Sequence, residues 1–415
     1  MGNVIIGQSG GPTAVINSSL AGAISAAKKG GVPKIYGMHY GIEGFLKKDI
    51  IDIEDYLFDI DDLSILKRTP SAFLGSCRYK LPKIEGNEEV YATMFDTLDE
   101  YDIEYFMYIG GNDSMDTIKQ LSDYAEAHGK KQKFMGIPKT IDNDLPITDH
   151  TPGFGSAAKF IATSMREIIC DNESFGANDP KICVVEIMGR NAGWLTAASV
   201  LSRATDSTGP DLIYLPENPF DEKAFLERVE DLTKKKKSIV IAVSEGLKDA
   251  EGKLICEQND DYAFVDAFGH RQLSGCGKIL SNKIARTMGY KTRAIEFSLL
   301  QRCATHLASR VDIDEAYDVG YIACEAALAG ETGKMVVINV THREPYVVSY
   351  ELADIHNIAN IEKKMPNEWI INEGTFVSDE FVKYVKPLVV GSLTPYYAGG
   401  VPKHISLKNK RRHLN

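Results

Sequence analysis

Short runs of apolar residues alternate with longer amphipathic stretches along most of this chain. Runs of about four to eight apolar and β-branched residues are typical of strands that are covered on both faces. The strands predicted in this way span residues 3–7, 104–109, 133–137, 181–188, 238–243 and 335–340. Helical periodicity predicts helices over residues 14–29, 114–127, 157–169, 192–202 and 223–235. This alternation indicates βαβ units, and we therefore predict an α/β fold with mostly parallel sheets.

Glycine and polar residues directly follow several of these hydrophobic runs. The segments are VIIGQSGGPT, YIGGNDSMDT, MGIPKTIDND, EIMGRNAGWL and AVSEG. Ligands of open α/β sheets bind outside the carboxyl ends of the strands, so these ends predict one composite site. Glycine and Asp also serve turns and helix caps in such loops, and a single loop alone would carry little weight.

Composition and charge exclude several classes of protein. Apolar residues make up 44% and charged residues 25% of the 415 residues, as in ordinary globular proteins. The apolar runs are well short of the roughly 20 residues of a membrane-spanning helix, so we expect no membrane association. A net charge of -11 opposes nucleic-acid binding. Seven cysteines without a C-x-x-C pair, and a start without a signal-peptide pattern, predict reduced thiols and a cytoplasmic location.

Two glycine-rich segments have the character of anion-binding loops. Gly10 and Gly11 let the backbone approach a ligand closely, and the helix predicted after them offers free N–H groups to an anion. The same argument applies to GGNDSM, where Gly110 and Gly111 turn the chain before the next helix, although Asp113 and Ser114 there also suit a plain helix cap.

The segment PKTIDND is more specific, because it places one ammonium and two carboxylates at a strand end. Of Asp142 and Asp144, one can accept a proton from an attacking hydroxyl while the other holds a hard cation such as Mg2+. Lys139 can neutralise phosphate charge. An Asx-turn cluster beside a surface lysine is the structural alternative, and we favour a site over it.

Four arginines complete the chemistry. Arg190 follows a predicted buried strand, where a guanidinium suits the spread charge of a transferring phosphoryl group. Arg78, Arg293 and Arg302, with the carboxylate of Glu245, match what recognition of a sugar phosphate requires. These residues predict Mg2+-assisted phosphoryl transfer to a hydroxyl of a sugar phosphate.

Together these motifs resemble those of the phosphofructokinase family, in the same order. The matching segments are SGG at 9–11, LGSCR at 74–78, GGNDS at 110–114, PKTIDND at 138–144, MGR at 188–190, EG at 245–246, Arg293, and QR at 301–302. The resemblance implies Asp142 as the base that deprotonates the C1 hydroxyl of fructose 6-phosphate, and Arg190 as a stabiliser of the transferring group.

The resemblance also implies the remaining contacts. The residues implied to line the sugar are Thr140, Met188, Gly189 and Glu245, and those implied to hold its 6-phosphate are Arg293 and Arg302. Gly10, Arg78 and Gly111 would lie along the phosphoryl donor. Lys181 stands where the family has an Arg supplied by a neighbouring subunit. We therefore expect a homodimer or a homotetramer.

Departures from the family pattern indicate which donor is used. Asp113 and Lys139 replace glycines of ATP-dependent relatives. An added carboxylate would repel the α-phosphate of a nucleotide, and an added ammonium would attract a compact diphosphate. Both changes resemble the diphosphate-dependent branch of the family. Asn112 replaces an Asp that binds Mg2+, and Leu299 replaces a His that contacts the sugar. The predicted Mg2+ ligands are Asn112, Asp113 and Asp144.

The prediction is thus a reversible Mg2+-dependent transfer from diphosphate to fructose 6-phosphate, catalysed by Asp142, Arg190 and Lys139. Two alternatives stay open, an ATP-dependent phosphofructokinase and a non-catalytic regulatory subunit that binds sugar phosphate. We predict two Rossmann-like lobes with the active-site cleft between them. The donor lobe would comprise residues 1–152 and about 303–345, and the sugar lobe residues 153–302. Residues 346–415 form a C-terminal extension that we assign to neither lobe. Its expected role is an oligomer contact or a lid.

Overall fold

The computed structural model describes residues 1–57, 60–175, 178–258 and 275–409. Its strands are β1 (Asn3–Gln8), β2 (Ile35–Met38), β3 (Ile50–Asp52), β4 (Ile103–Gly110), β5 (Lys133–Pro138), β6 (Lys181–Ile187), β7 (Leu212–Tyr214), β8 (Ser238–Ser244), β9 (Lys291–Glu296), β10 (Lys334–Arg343), β11 (Tyr346–Asp354), β12 (Ile370–Ile371), β13 (Phe376–Val377), β14 (Tyr397–Ala398) and β15 (Val401–Pro402). Its α-helices are α1 (Ile16–Lys29), α2 (Gly41–Phe45), α3 (Ile60–Leu66), α4 (Glu88–Glu100), α5 (Asn112–Ala127), α6 (Phe154–Ser174), α7 (Trp194–Ala198), α8 (Glu222–Lys235), α9 (Cys276–Met288), α10 (Leu300–Cys303), α11 (Arg310–Leu328) and α12 (Asp379–Val385).

Two sheets organise the chain. The first has seven strands in the order β11-β10-β5-β4-β1-β2-β3. Its strands pair in parallel except at the two edges, where β3 and β11 run antiparallel to their neighbours. The second has four parallel strands in the order β7-β8-β6-β9. The predicted α/β class with mostly parallel sheets is confirmed.

Both sheets are covered on both faces. Along β1, Val4 and Ile6 pack into one hydrophobic cluster, and Ile5 between them packs into another. Along β6, Ile182 and Cys183 likewise point to different clusters. Alternate residues of a strand face opposite sides of its sheet, so a strand buried on both sides must be apolar throughout. This is why the central strands could be recognised from the sequence.

All six predicted strands are present, within three residues of their predicted ends. The helix predicted over 192–202 is shorter, because α7 passes into a 3-10 helix at Ser199–Ser202. Several elements were not predicted, among them β7, β9 and β11. Of these, β9 and β11 are edge strands that mix polar with apolar residues, and β7 has three residues, so periodicity gives them little signal.

The chain returns to the first sheet after it has built the second. β10 pairs with β5 in parallel, and β11 then forms a hairpin with β10. Beyond β11, Phe381 and Leu388 belong to the core on one face of the second sheet, while Ile405 packs into a core of the first. The segment 346–409 therefore contacts both halves, and our division of the chain into lobes stays a prediction.

None of the helices in the described ranges combines the length and the apolar character needed to cross a membrane.

Candidate active site

The carboxyl ends of β1, β4 and β5 lie side by side and bring three of the predicted loops together. Backbone hydrogen bonds join these loops beyond the strands. The N–H of Ser9 donates to the carbonyl of Ile109 at 2.9 Å, and that of Lys139 donates to the carbonyl of Gly110 at 3.0 Å. The adjacency of these strand ends follows directly from the parallel strand order.

The segment LGSCR is held against the first loop. The N–H of Gly10 donates to the carbonyl of Cys77 at 3.0 Å, and the hydroxyl of Ser76 donates to the carbonyl of Gly10 at 2.6 Å. Gly10 has a φ of 73°, a left-handed conformation that glycine adopts without strain. These bonds bring Arg78 to the edge of the first loop.

Helix α5 begins directly at the GGNDS segment. Gly111 is the residue before its first turn, and Asp113 is partly buried within that turn. The free N–H groups of a helix start attract anions. The side chain of Asn112 is already engaged, because its Nδ2 donates to the carbonyl of Ile361 at 2.5 Å. Its Oδ1 accepts the N–H of Asn360 at 2.5 Å.

Lys139 is buried and crosses from the third loop to the first. Its Nζ donates to the carbonyl of Gly11 at 2.7 Å. Burial lowers the pKa of Lys139 to about 8; the carboxylates of Asp142 and Asp144 oppose this shift, and the guanidinium groups of Arg302 and Arg78 add to it. Three cations thus lie close enough to repel one another, which is the arrangement of a site for an anion.

The turn of residues 140–144 sets the direction of its two carboxylates. The N–H of Asp142 donates to the hydroxyl of Thr140 at 3.1 Å. Asn143, at φ 55°, is buried between the two acids, and its Oδ1 accepts the N–H of Thr151 at 3.1 Å. Its Nδ2 donates to the hydroxyl of Tyr384 at 2.7 Å. Asn143 therefore holds the backbone from which both carboxylates project.

Burial raises the pKa of both acids. For Asp142 the cations Lys139, Arg302 and Arg190 oppose the rise, whereas the charge of Glu362 adds to it. The pKa of Asp144 rises to about 7, through burial and then through the charge of Asp142. A base whose pKa is raised towards neutrality accepts a proton more readily than a free carboxylate.

A divalent cation fits this arrangement. Oδ1 of Asp144 is buried, and no described residue gives it a hydrogen bond. An orphaned carboxylate oxygen is a ready ligand for a hard cation. Within the described residues, no three His, Cys, Asp or Glu side chains come together as a metal cluster. Mg2+ characteristically takes one or two protein carboxylates and completes its shell with water and substrate phosphate, so the orphaned oxygen of Asp144 suits it.

The loops that follow β1, β4 and β5 form one wall of the candidate site. The carboxyl ends of β6 and β8 form a second wall. The N–H of Gly189 donates to Oε1 of Glu245 at 3.3 Å, and the hydroxyl of Ser244 donates to the carbonyl of Gly189 at 2.5 Å. A Cβ on Gly246 would lie 2.0 Å from the carbonyl oxygen of Arg190, so only glycine lets the two loops approach. Burial raises the pKa of Glu245 to about 7.

Arg302 links the two walls. Its Nη1 lies against Gly11, 3.0 Å from where a Cβ of that glycine would stand. The residue before it, Gln301, is buried, and its Oε1 accepts the N–H of Met188 at 3.3 Å. Burial, and next the charge of Arg78, lowers the pKa of Arg302. The short helix α10 therefore places Arg302 between the first loop and the loop that follows β6.

Two predicted residues lie apart from this cluster, and a third, beside the helix that carries Arg302, is exposed. Lys181 begins β6, and Arg293 is paired in register with Cys183, five residues or roughly 16 Å before Met188. Both line a surface pocket with Phe175, and Arg293 contacts Asp171 at 3.2 Å. Leu299 is 55% exposed. One copy of the chain thus does not bring Lys181 or Arg293 to Arg302.

Several residues that shape the site were not predicted from the sequence. They are Asn143, Gln301, Lys363 and Tyr384. Asn143 and Gln301 stand inside the recognised motifs TIDND and QR, and that position was a usable signal. Lys363 and Tyr384 lie in the segment after 346, where no motif marks them.

The fold and the site are typical of enzymes that transfer phosphoryl groups to sugar phosphates. A family model described as Phosphofructokinase matches residues 3–313. The chain belongs to the phosphofructokinase family.

Relatives match over nearly the whole length. A pyrophosphate–fructose 6-phosphate 1-phosphotransferase of Halomonas elongata is 41% identical over 412 residues, covering 99% of this chain and 97% of the relative. A relative of the same name from Xanthomonas campestris is 38% identical over 409 residues, covering 98% and 96%. The crystal structure of a pyrophosphate-dependent phosphofructokinase from Nitrosospira multiformis matches with a TM-score of 0.88 at 37% identity, covering 98% and 96%.

Proposed function

We propose that this protein reversibly transfers a phosphoryl group from inorganic diphosphate to the C1 hydroxyl of fructose 6-phosphate, yielding fructose 1,6-bisphosphate and phosphate. The observation that carries the proposal is the buried ammonium of Lys139, which lies close enough to Asp142, Asp144, Arg302 and Arg78 for the charges of all four to act on it. Three cations beside two carboxylates suit a compact, highly charged donor and a hydroxyl acceptor. The names of the full-length relatives support the same donor and acceptor.

Asp142 is the proposed general base. It accepts the proton of the C1 hydroxyl as the oxygen attacks the nearer phosphorus of diphosphate, and the bond from that phosphorus to the bridging oxygen breaks. Phosphate leaves with the bridging oxygen. Arg190 and Lys139 stabilise the charge that spreads over the transferring group. Gly10, Arg78, Gly111 and Asp113 are proposed to lie along diphosphate.

Mg2+ would neutralise charge on the phosphates and help to align them. We propose that Asp144 holds it, through the buried Oδ1 that has no hydrogen bond among the described residues, with Asp113 as a second contact at the start of α5. Mg2+ is usually bound in this way, by one or two carboxylates, with water molecules completing its coordination shell.

The sugar is proposed to lie against the ends of β6 and β8. Its contacts would be Thr140, Met188, Gly189, Glu245, Leu299 and Arg302. Lys181 and Arg293 lie on the surface away from Arg302. We therefore propose that, in a homodimer or homotetramer, they bind the 6-phosphate of the fructose 6-phosphate that is held in the site of a neighbouring copy. We place the activity in the cytoplasm, in keeping with seven free cysteines.

The proposal is tested by a coupled assay of fructose 1,6-bisphosphate formation from fructose 6-phosphate and Mg2+, with diphosphate or ATP at matched concentrations. We expect turnover with diphosphate and little with ATP. Turnover with ATP alone would overturn the donor assignment. Absence of turnover with both donors, with fructose 6-phosphate still bound, would favour a regulatory sugar-phosphate-binding subunit.

A further inference from the structure

A short segment after β11 reaches the site from outside the region matched by the family model. Residues 358–365, here called the strap, follow a 3-10 helix at Ile355–Asn357. The strap lies more than forty residues beyond position 313, where the family match ends. It contacts both the start of α5 and the catalytic loop, which we define as residues 139–150.

The contact with α5 is made by the side-chain amide of Asn112, through both its nitrogen and its oxygen. Asn112 donates through Nδ2 to the carbonyl of Ile361 and accepts the N–H of Asn360 on Oδ1, both at 2.5 Å. The side chain of Asn360 returns the contact, because its Nδ2 donates to Oδ1 of Asp116 at 2.7 Å. The first two turns of α5 are thus bound to two consecutive residues of the strap.

This pairing requires an amide at position 112. A carboxylate could accept the N–H of Asn360, but it has no proton to donate to the carbonyl of Ile361 and would repel that oxygen. The amide oxygen is also already occupied by the backbone of the strap. The occupied oxygen opposes the role of Mg2+ ligand that the motif predicts for Asn112, and the N–H donated to Ile361 accounts for an amide there.

The other end of the strap is bound to the catalytic loop. The N–H of Lys363 donates to the carbonyl of Asp144 at 2.7 Å. Its Nζ donates to the carbonyls of Asp149 at 2.8 Å and Thr148 at 3.2 Å, and lies 5.2 Å from the centre of the Trp194 ring. The residue between the two anchors, Glu362, lies near enough to Asp142 and Asp144 for its charge to act on both.

We infer that the strap is a positioning element that holds the start of α5 in register with the catalytic loop, and that Asn112 is its latch. The inference rests on the proposed function, because α5 carries the proposed donor contact Asp113 and the loop carries the proposed base Asp142. Donor and acceptor must be held to a fraction of an ångström for phosphoryl transfer. The strap supplies a direct bridge between the two sides.

The test compares Asn112→Asp and Asn112→Ala with Asn87→Asp as a matched control. Asn87 also stands at a helix start and donates to backbone carbonyls, of Lys83 at 2.9 Å and Glu85 at 3.4 Å, at the start of α4. For each full-length variant we would measure kcat, KM for both substrates, the Mg2+ concentration for half-maximal rate, and amide hydrogen exchange of residues 358–364. Exchange is measured without substrate or Mg2+.

We expect both Asn112 variants to lower kcat about tenfold or more, with smaller changes in KM and an unchanged requirement for Mg2+. Exchange in 358–364 should become faster in both, and Asn87→Asp should match the wild type. If Asn112→Asp kept full kcat at a lower Mg2+ requirement, Asn112 would be a metal ligand and the inference would be overturned. Faster exchange with unchanged kcat would also overturn it, because the strap would then be structural alone. An inactive wild type would contradict the proposed function, whereas the exchange data would still show whether Asn112 holds the strap.

Discussion

The site draws on two regions that differ in how their sequence relates to their role. The motif-bearing loops lie at the ends of buried parallel strands, and they carry the groups that can act on a substrate. The C-terminal segment 346–409 reaches the same place through β11, the strap and α12, and the side chains with which it meets the catalytic loop bind mainly to backbone. Tyr384, for example, donates to the carbonyl of Asp149 at 2.8 Å.

This difference teaches that chemistry and positioning are encoded separately. A strand followed by glycine and charged residues is a local pattern, and the parallel sheet then brings several such patterns to one edge. A lysine that donates to distant carbonyls, as Lys363 does, depends on a fold that has already formed. Its sequence context therefore shows no pattern of its own.

The largest effect is expected from removing the proposed base. Asp142→Ser should lower kcat by about a hundredfold to ten-thousandfold, the range that general-base catalysis contributes. Binding of fructose 6-phosphate, measured by calorimetry, should change little, because the cations that hold its phosphate are untouched. Turnover close to that of the wild type would remove Asp142 from the mechanism.

The second effect concerns the donor. Asp113→Gly combined with Lys139→Gly should shift the ratio of kcat/KM for diphosphate over ATP towards ATP by about tenfold or more. The ammonium that attracts diphosphate is lost, and so is the carboxylate that repels a nucleotide. The two single variants serve as controls. If the double variant still used diphosphate and made no use of ATP, these residues would not select the donor.

A smaller effect is expected in the strap. Lys363→Met removes the donor to the carbonyls of Thr148 and Asp149. The carbonyl of Asp149 keeps the hydroxyl of Tyr384 as a donor, whereas a buried carbonyl left without a partner, as at Thr148, costs about 1–3 kcal/mol. We expect a lower unfolding midpoint and a kcat reduced about tenfold. Lys364→Met is the matched control, because this neighbouring side chain is exposed. Equal effects of the two substitutions would contradict the distinction between them.

The last prediction concerns the pH dependence of stability, with no change in turnover. Burial lowers the pKa of His150, but the carboxylates of Glu315 at 2.7 Å and Asp149 at 2.9 Å outweigh it and raise that pKa to about 9. The unfolded value is about 6.5, so protonated His150 stabilises the fold fully below pH 6.5 and loses this contribution as the pH rises to about 9.

The denaturation midpoint of wild type minus that of His150→Gln should therefore shrink from pH 6.5 to pH 9. The corresponding loss in the free energy of unfolding is at most about 3 kcal/mol. A difference that stays constant over this range would show that His150 does not titrate as the surrounding carboxylates imply.

Much of the fold followed from the sequence, because buried parallel strands are apolar at every position. The elements that were missed, such as β9 and β11, lie at sheet edges and mix polar with apolar residues. Their assignment depends on what they pair with, which a local pattern does not contain. The C-terminal contacts were missed for the same reason.

The candidate site was predictable where charge and glycine follow a strand, as for Lys139, Asp142 and Glu245. Lys181 and Arg293 lie outside the cluster of one copy. Their predicted role in binding the sugar 6-phosphate therefore requires a second copy of the chain. Asn112 shows the limit of a motif, because the amide that replaces an acid binds two backbone groups some 250 residues away. No spacing rule connects residues so distant.

The central claim is that diphosphate is the phosphoryl donor at this site. Its most direct test is phosphorus NMR of the purified full chain with fructose 1,6-bisphosphate, phosphate and Mg2+. We predict that a diphosphate resonance grows as the bisphosphate falls, and that added fructose 6-phosphate reverses the change. If no diphosphate forms while ATP supports the forward reaction under the same conditions, the claim is wrong.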